Sequence, residues 1–158
     1  MTSNLKGLAG KKQLTIDTCV LTQVTNGLCE PNSVRATEFL KKVYEDCHKI
    51  VVDKYECNIL KEYKAHAKGY AKEWVIQILV RKKKLHKVDI RGCKIASKMK
   101  NDKFDHKFID ACFLSKDRLI ITRDNGFYEA EVRFLIKKNG MRLLDTEEAM
   151  QLISGEIK

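Results

Sequence analysis

Asp17, Glu62, Asp105 and Asp124 are the side chains of this sequence best placed for chemistry. Asp17 ends the apolar run Leu14-Thr15-Ile16, and Asp124 ends Leu119-Ile120-Ile121-Thr122-Arg123. A carboxylate at the end of a buried strand is costly to desolvate unless something compensates it. Glu62 sits in a helical pattern, and Asp105 opens one. Singly, each has an ordinary reading as a cap, a turn residue or a solvated surface group. As a set they are four carboxylates around one end of a predicted sheet. Carboxylates grouped in this way repel, and one stays protonated unless a cation holds them. Hard oxygen donors suit Mg²⁺ or Mn²⁺. Such ions activate water and neutralise charge at a phosphoryl centre.

The elements that must position them follow from periodicity. Residues 12–17 read as a strand, and the stretch from there to Asn32, with Asn26-Gly27 and Pro31, as loop. Ala36, Phe39, Leu40, Val43, Tyr44 and Cys47 mark one face of a helix from Ser33, capped by Asn32 or Ser33. Residues 49–53 form a second strand. Ile59, Leu60 and Tyr63 share a face of a short helix that Gly69 breaks, and Tyr70, Trp74 and Ile78 continue as another. LHKVDI (85–90) suggests a short strand and 93–100 a helical turn or two. Residues 105–116 are helical, 118–124 have the unbroken apolar centre of a strand buried on both faces, and 129–138 form a helix closed by Asn139-Gly140. Residues 141–144 give a last strand, and Asp145-Thr-Glu-Glu148 is a capping box. Alternation of this kind predicts an α/β fold, a three-layer α/β/α sandwich with a central parallel sheet. Ligands of such sheets bind beyond the carboxyl ends of the strands.

The chain has 158 residues, which argues for one domain over 1–158. Its 31 Lys and Arg outweigh 21 Asp and Glu, a net charge of +10. Between Arg81 and Lys103, ten basic residues face only Asp89 and Asp102. A stretch so basic attracts polyanions; a merely solvated surface is the alternative. Arg81, Lys82, Lys83, Lys84, Lys87, Arg91 and Arg123 are the candidate nucleic-acid contacts. Tyr70 and Trp74 have the spacing of core residues, although aromatics also stack bases in single-strand binders. The six cysteines have no C-x-x-C spacing and read as reduced, small apolar residues, with Cys47 and Cys112 on apolar helix faces. No apolar run is long enough to cross a membrane. The amino-terminal residues lack a secretory h-region, so a cytoplasmic location is expected.

Leu14-Thr-Ile-Asp17-Thr, Ile59-Leu-Lys-Glu62-Tyr63, Asp105-His-Lys-Phe-Ile-Asp-Ala111 and Ile120-Ile-Thr-Arg-Asp124-Asn-Gly-Phe127 resemble the PIN-domain nuclease family in content and order. The last two, at their mutual spacing, are the most telling. The resemblance implies a metal-dependent endoribonuclease that cuts mostly single-stranded RNA by water attack on phosphorus. It implies Asp17, Glu62, Asp105 and Asp124 as ligands of Mg²⁺ or Mn²⁺. For the second ligand Glu56 competes with Glu62, which lies in the better helical pattern, and Asp110 is a lesser candidate. The hydroxyls of Thr18 and Thr122 are placed to orient ligands or water. His106, beside Asp105, has a catalytic reading and a commoner structural one. Residues 67–103 are longer and more basic than a minimal PIN domain needs, as an RNA clamp or a docking surface for a protein. The resemblance also admits an antitoxin partner or a homodimer. Two other functions compete: a PIN-like module that grips RNA or protein without cutting, and a phosphatase with Asp17 as nucleophile. The phosphatase pattern wants an Asp at position 19, where this chain has Cys19.

Overall fold

The computed structural model describes residues 10–25, 30–98 and 106–158. Five strands form one all-parallel sheet in the order β3-β2-β1-β4-β5: β1 (Gln13–Ile16), β2 (Lys49–Asp53), β3 (Leu85–Val88), β4 (Leu119–Ile121) and β5 (Arg142–Leu144). Helices α1 (Thr18–Thr25), α2 (Pro31–Glu45), α3 (Asn58–His66), α4 (Gly69–Val80), α5 (His106–Leu114), α6 (Ala130–Lys138) and α7 (Thr146–Ile153) flank it. The result is the expected three-layer α/β/α sandwich. Parallel strands need crossovers, and the helices that supply them cover both faces of the sheet.

The core explains why the central strands carry runs rather than alternation. Leu14, Ile16, Val51, Val52, Ile120 and Ile121 are all fully buried. Thr15 and Thr122 are equally buried, and they are small enough to lie between packed layers. Helix α5 lies over β1, β2 and β4, while α1, α2 and α4 pack on one another. Trp74 is a core residue, its indole N–H donating to the Leu40 carbonyl at 2.8 Å. The core reading of its spacing was therefore the right one.

Three local expectations are corrected. The stretch after Asp17 is not loop at first but helix α1, which starts at Thr18 and buries Val20, Leu21 and Val24. Helix α2 begins earlier than its capping signals suggest, with Glu30 at the cap and Pro31 in the first turn, where a missing N–H costs nothing. Cys47 is not on an apolar helix face. It is exposed, in the left-handed conformation (φ 60°) that ends α2. There the Cys47 and His48 N–H groups close the helix by donating to the Tyr44 and Val43 carbonyls. Of the helical turn or two expected over 93–100, the described residues 93–98 hold one 3-10 turn, Ala96–Lys98. Cys112, by contrast, is buried as expected, and the capping box of Asp145 and Glu148 is fully formed. Among the described residues no helix is long and apolar enough to cross a membrane.

Candidate functional site

Strand register brings the first acidic position to the last. Ile16 pairs with Ile121, so the residues that follow, Asp17 and Thr122, leave the sheet side by side. The Asp17 N–H donates to the Ile121 carbonyl at 2.9 Å. The Thr122 hydroxyl donates to Asp17 Oδ2 at 2.7 Å and accepts from the Asp124 N–H at 3.0 Å. One hydroxyl thus ties both aspartates. The Asp124 carboxylate then turns back to accept from the Gly126 N–H at 3.0 Å, which fixes the turn after β4. Tyr128 anchors the same corner by donating to the Thr122 carbonyl at 2.9 Å.

Glu62 arrives from a different layer. Helix α3 is set on the sheet by Asp53, whose buried carboxylate accepts the Asn58 and Ile59 N–H groups, both at 2.8 Å. One turn on, the buried Tyr63 hydroxyl donates to the Ile16 carbonyl, immediately before Asp17. With the helix held at both points, Glu62 faces the site and accepts from the Thr18 hydroxyl. Glu56 points elsewhere, accepting from the Asn58 side chain at 2.9 Å in an exposed position. Between the two, it is Glu62 that the structure brings to Asp17 and Asp124. Asp110 faces away as well, accepting the Ala96 N–H at 3.0 Å and so pinning the 3-10 turn to α5. Asp105 lies outside the described residues.

The electrostatics are those of crowded acids. Burial pushes the Asp17 carboxyl above its ordinary range. The charges of Asp124 and Glu62 push the same way, against hydrogen bonds from Thr122 and Cys19. Cys19 stays a neutral thiol, its pKa pushed up to about 12 chiefly by burial and by Asp17. A group with that affinity for its proton is a hydrogen-bonding partner to Thr122 at 3.3 Å, not a second acid. Lys107 donates to Glu62 at 2.8 Å with both side chains largely buried. Among the described residues no three His, Cys, Asp or Glu side chains form a cation site by themselves. Asp17, Glu62 and Asp124, near enough for the charges of the last two to act on the first, are hard oxygen donors of the kind Mg²⁺ or Mn²⁺ takes, and the buried carboxylate of Asp17 favours a compensating cation.

Several residues at this site escaped the sequence. Lys107 is the main one, a basic residue in the first turn of α5 whose only signal was its place two residues after Asp105. Asp53 and Tyr63 are positioning residues that read as ordinary strand-end and core positions, and Tyr128, between a predicted strand and a predicted helix, gave no signal.

The candidate basic contacts divide. Arg123, next to Asp124, is held by Thr146 at 3.0 Å and Asn32 at 2.8 Å. Arg91 follows β3 at the same sheet edge, paired with Asp89 at 2.9 Å and stacked 3.6 Å over the Tyr55 ring. Lys87 is exposed within β3. Arg81 and the 3-10 turn Lys82–Lys84 precede β3, so they lie at the amino-terminal edge, the far end of the sheet. They were expected beside the carboxylates, but a parallel strand separates the two by its whole length. Lys84, moreover, is not a surface contact. It is buried, donating to the Tyr44 carbonyl at 2.6 Å and to Cys47 Sγ at 3.1 Å.

No protein-family model matches the chain, and no curated protein and no solved structure gives a significant match.

Proposed function

We propose that the chain is an Mg²⁺- or Mn²⁺-dependent endoribonuclease acting on single-stranded RNA at the carboxyl-terminal edge of its sheet. The observation that carries this reading is that the Thr122 hydroxyl holds the Asp17 carboxylate and the Asp124 backbone N–H, with Glu62 joined through Thr18 and the charges of Asp124 and Glu62 acting on Asp17. Three carboxylates from three elements, one of them raised in pKa first by its burial and further by the other two, are an arrangement that a structural role does not call for. Its likeness to the PIN-domain pattern, with Asp105 as a fourth acid, supplies the substrate class.

In this reading Asp17, Glu62 and Asp124 would hold the cation, and the likeness to the PIN-domain pattern would add Asp105. The bound cation supplies an activated water and neutralises charge at the phosphorus. Thr122 fixes the Asp17 carboxylate by donating to Oδ2 and fixes the backbone of Asp124 by accepting its N–H. Thr18 orients Glu62. Lys107, an ammonium inside the acidic cluster, offsets its charge and stands where an anionic phosphate would approach. Arg91 and Arg123 provide positive charge along the same edge, and RNA is the partner they would meet.

The test is a mixed RNA pool incubated with Mn²⁺, with the cut ends sequenced, in parallel with EDTA. Metal-dependent fragments support the reading. Retention of RNA without fragments assigns the chain to a non-cleaving module instead, and undiminished cutting in EDTA overturns the metal mechanism.

A further inference from the structure

The opposite edge of the sheet carries its own charge. Register places Lys49 next to Lys84, and the Lys49 N–H donates to the Lys12 carbonyl at 2.9 Å. Lys11, Lys49, Arg81 and Lys83, with Cys47 and the buried Lys84, line an open cavity of about 800 Å³. Among the described residues none of Lys11, Lys49, Arg81 and Lys83 has a carboxylate in ion-pair range, whereas Lys42, Arg91 and Lys107 each do. The lining itself contains no acid. Neighbouring groups register the field. The Lys84 hydrogen bond, with Lys11 adding to it, pulls the Cys47 thiol below its ordinary pKa. His86 is held low first by burial and then by Lys49. Cations that no carboxylate neutralises, around one concavity, raise the local concentration of anions.

We propose that this amino-terminal edge is an exosite that grips the phosphate backbone of single-stranded RNA away from the scissile bond. The choice of RNA rests on the ribonuclease reading above; the exosite itself rests on the cations that, among the described residues, have no carboxylate partner. From Lys49 to Asp53 the sheet is about 13 Å deep at the usual rise per strand residue, so this surface and the acids engage different phosphates. A short RNA reaches one of the two edges, and a long one both. Backbone contacts of this kind are sequence-independent and salt-sensitive.

The experiment uses the full chain in EDTA, so that binding is read without cleavage. Affinity for a short and a long homopolymeric single-stranded RNA is measured across salt for wild type and for Lys11→Gln/Arg81→Gln/Lys83→Gln. Lys83→Glu alone, at an exposed position, serves if the triple variant is unstable. The proposal expects the triple variant to lose about tenfold or more in affinity for long RNA and to lower its salt slope by about 2, at roughly 0.7 per phosphate contact. Long RNA should also slow iodoacetamide labelling of Cys47 on the cavity wall. Unchanged affinity, slope and labelling overturn the exosite even where cleavage is robust. Lost affinity in the variant upholds it even where no cleavage is found, in which case the nuclease reading alone falls. Labelling slowed by anionic lipid vesicles and not by RNA assigns the cavity to a membrane surface and overturns the proposal.

Discussion

The two ends of the sheet differ in the sign of their charge and in how it is partnered. At the carboxyl-terminal edge Asp17, Glu62 and Asp124 are tied to hydroxyls, backbone amides and Lys107. At the amino-terminal edge Lys11, Lys49, Arg81 and Lys83 stand around an open cavity with no acid in its lining. Helix polarity accounts for the signs. Each helix that follows a strand in this topology starts at the carboxyl-terminal edge, so α1 and α3 present positive dipole ends to Asp17 and Asp53. Helices α2 and α4 end at the other edge, where Lys84 donates to a last-turn carbonyl of α2 and Arg81 caps α4. The lesson lies in the partnering: preorganised acids suit chemistry, and bases with no carboxylate partner among the described residues suit grip.

The largest effect that would break this contrast is on turnover. Asp17→Asn and Asp124→Asn are expected to lower cleavage at least ~100-fold, the scale seen when one preorganised electrostatic group is lost, with the fold retained by circular dichroism. Thr122→Val is expected to cost roughly 10–100-fold, since it acts by orienting others. The triple change at the amino-terminal edge should leave the rate on short RNA untouched.

Much of the fold was legible because its signals are local. The apolar runs 14–16 and 119–121, the Ala36-to-Val43 face and the Asp145 box each need only their neighbours in sequence. Asp17 and Asp124 were legible for the same reason, as acids at strand ends. Lys84 was not: it looks like the lysines beside it, and only the end of α2, at Tyr44 and Cys47, gives it buried partners. Nor was the distance between the basic run and the acids, because which end of β3 receives a charge depends on where the strand begins. The helix after Asp17 was hidden by the Asn26-Gly27 and Pro31 signals that follow it.

Stability should separate neighbouring lysines of the amino-terminal edge. Lys84→Met removes the charged hydrogen bonds to the Tyr44 carbonyl and Cys47 Sγ and is expected to cost about 1–3 kcal/mol. Lys83→Met should change stability by less than ~0.5 kcal/mol. Urea melts of both check this.

Titration sharpens the contrast with smaller effects. Asp17 has a raised folded pKa, so the stability linked to it is full at low pH and is lost as pH rises through that value. Asp17→Asn should therefore melt higher than wild type at neutral pH, and the gap should shrink in acid. His48 behaves oppositely. It is buried, its Nδ1 accepts the Lys12 N–H at 3.0 Å, and burial holds its pKa below the ordinary value. Its contribution is full above the unfolded pKa of about 6.5 and is lost as pH falls through the folded one. Wild type should thus lose stability below about pH 6.5 more steeply than His48→Gln.

The central claim is that the acids at the carboxyl-terminal edge do chemistry on RNA. Its most direct test is product formed from single-stranded RNA in Mn²⁺ by wild type and by folded Asp17→Asn. The account predicts fragments from wild type and essentially none from the variant. Equal cleavage by both would contradict it.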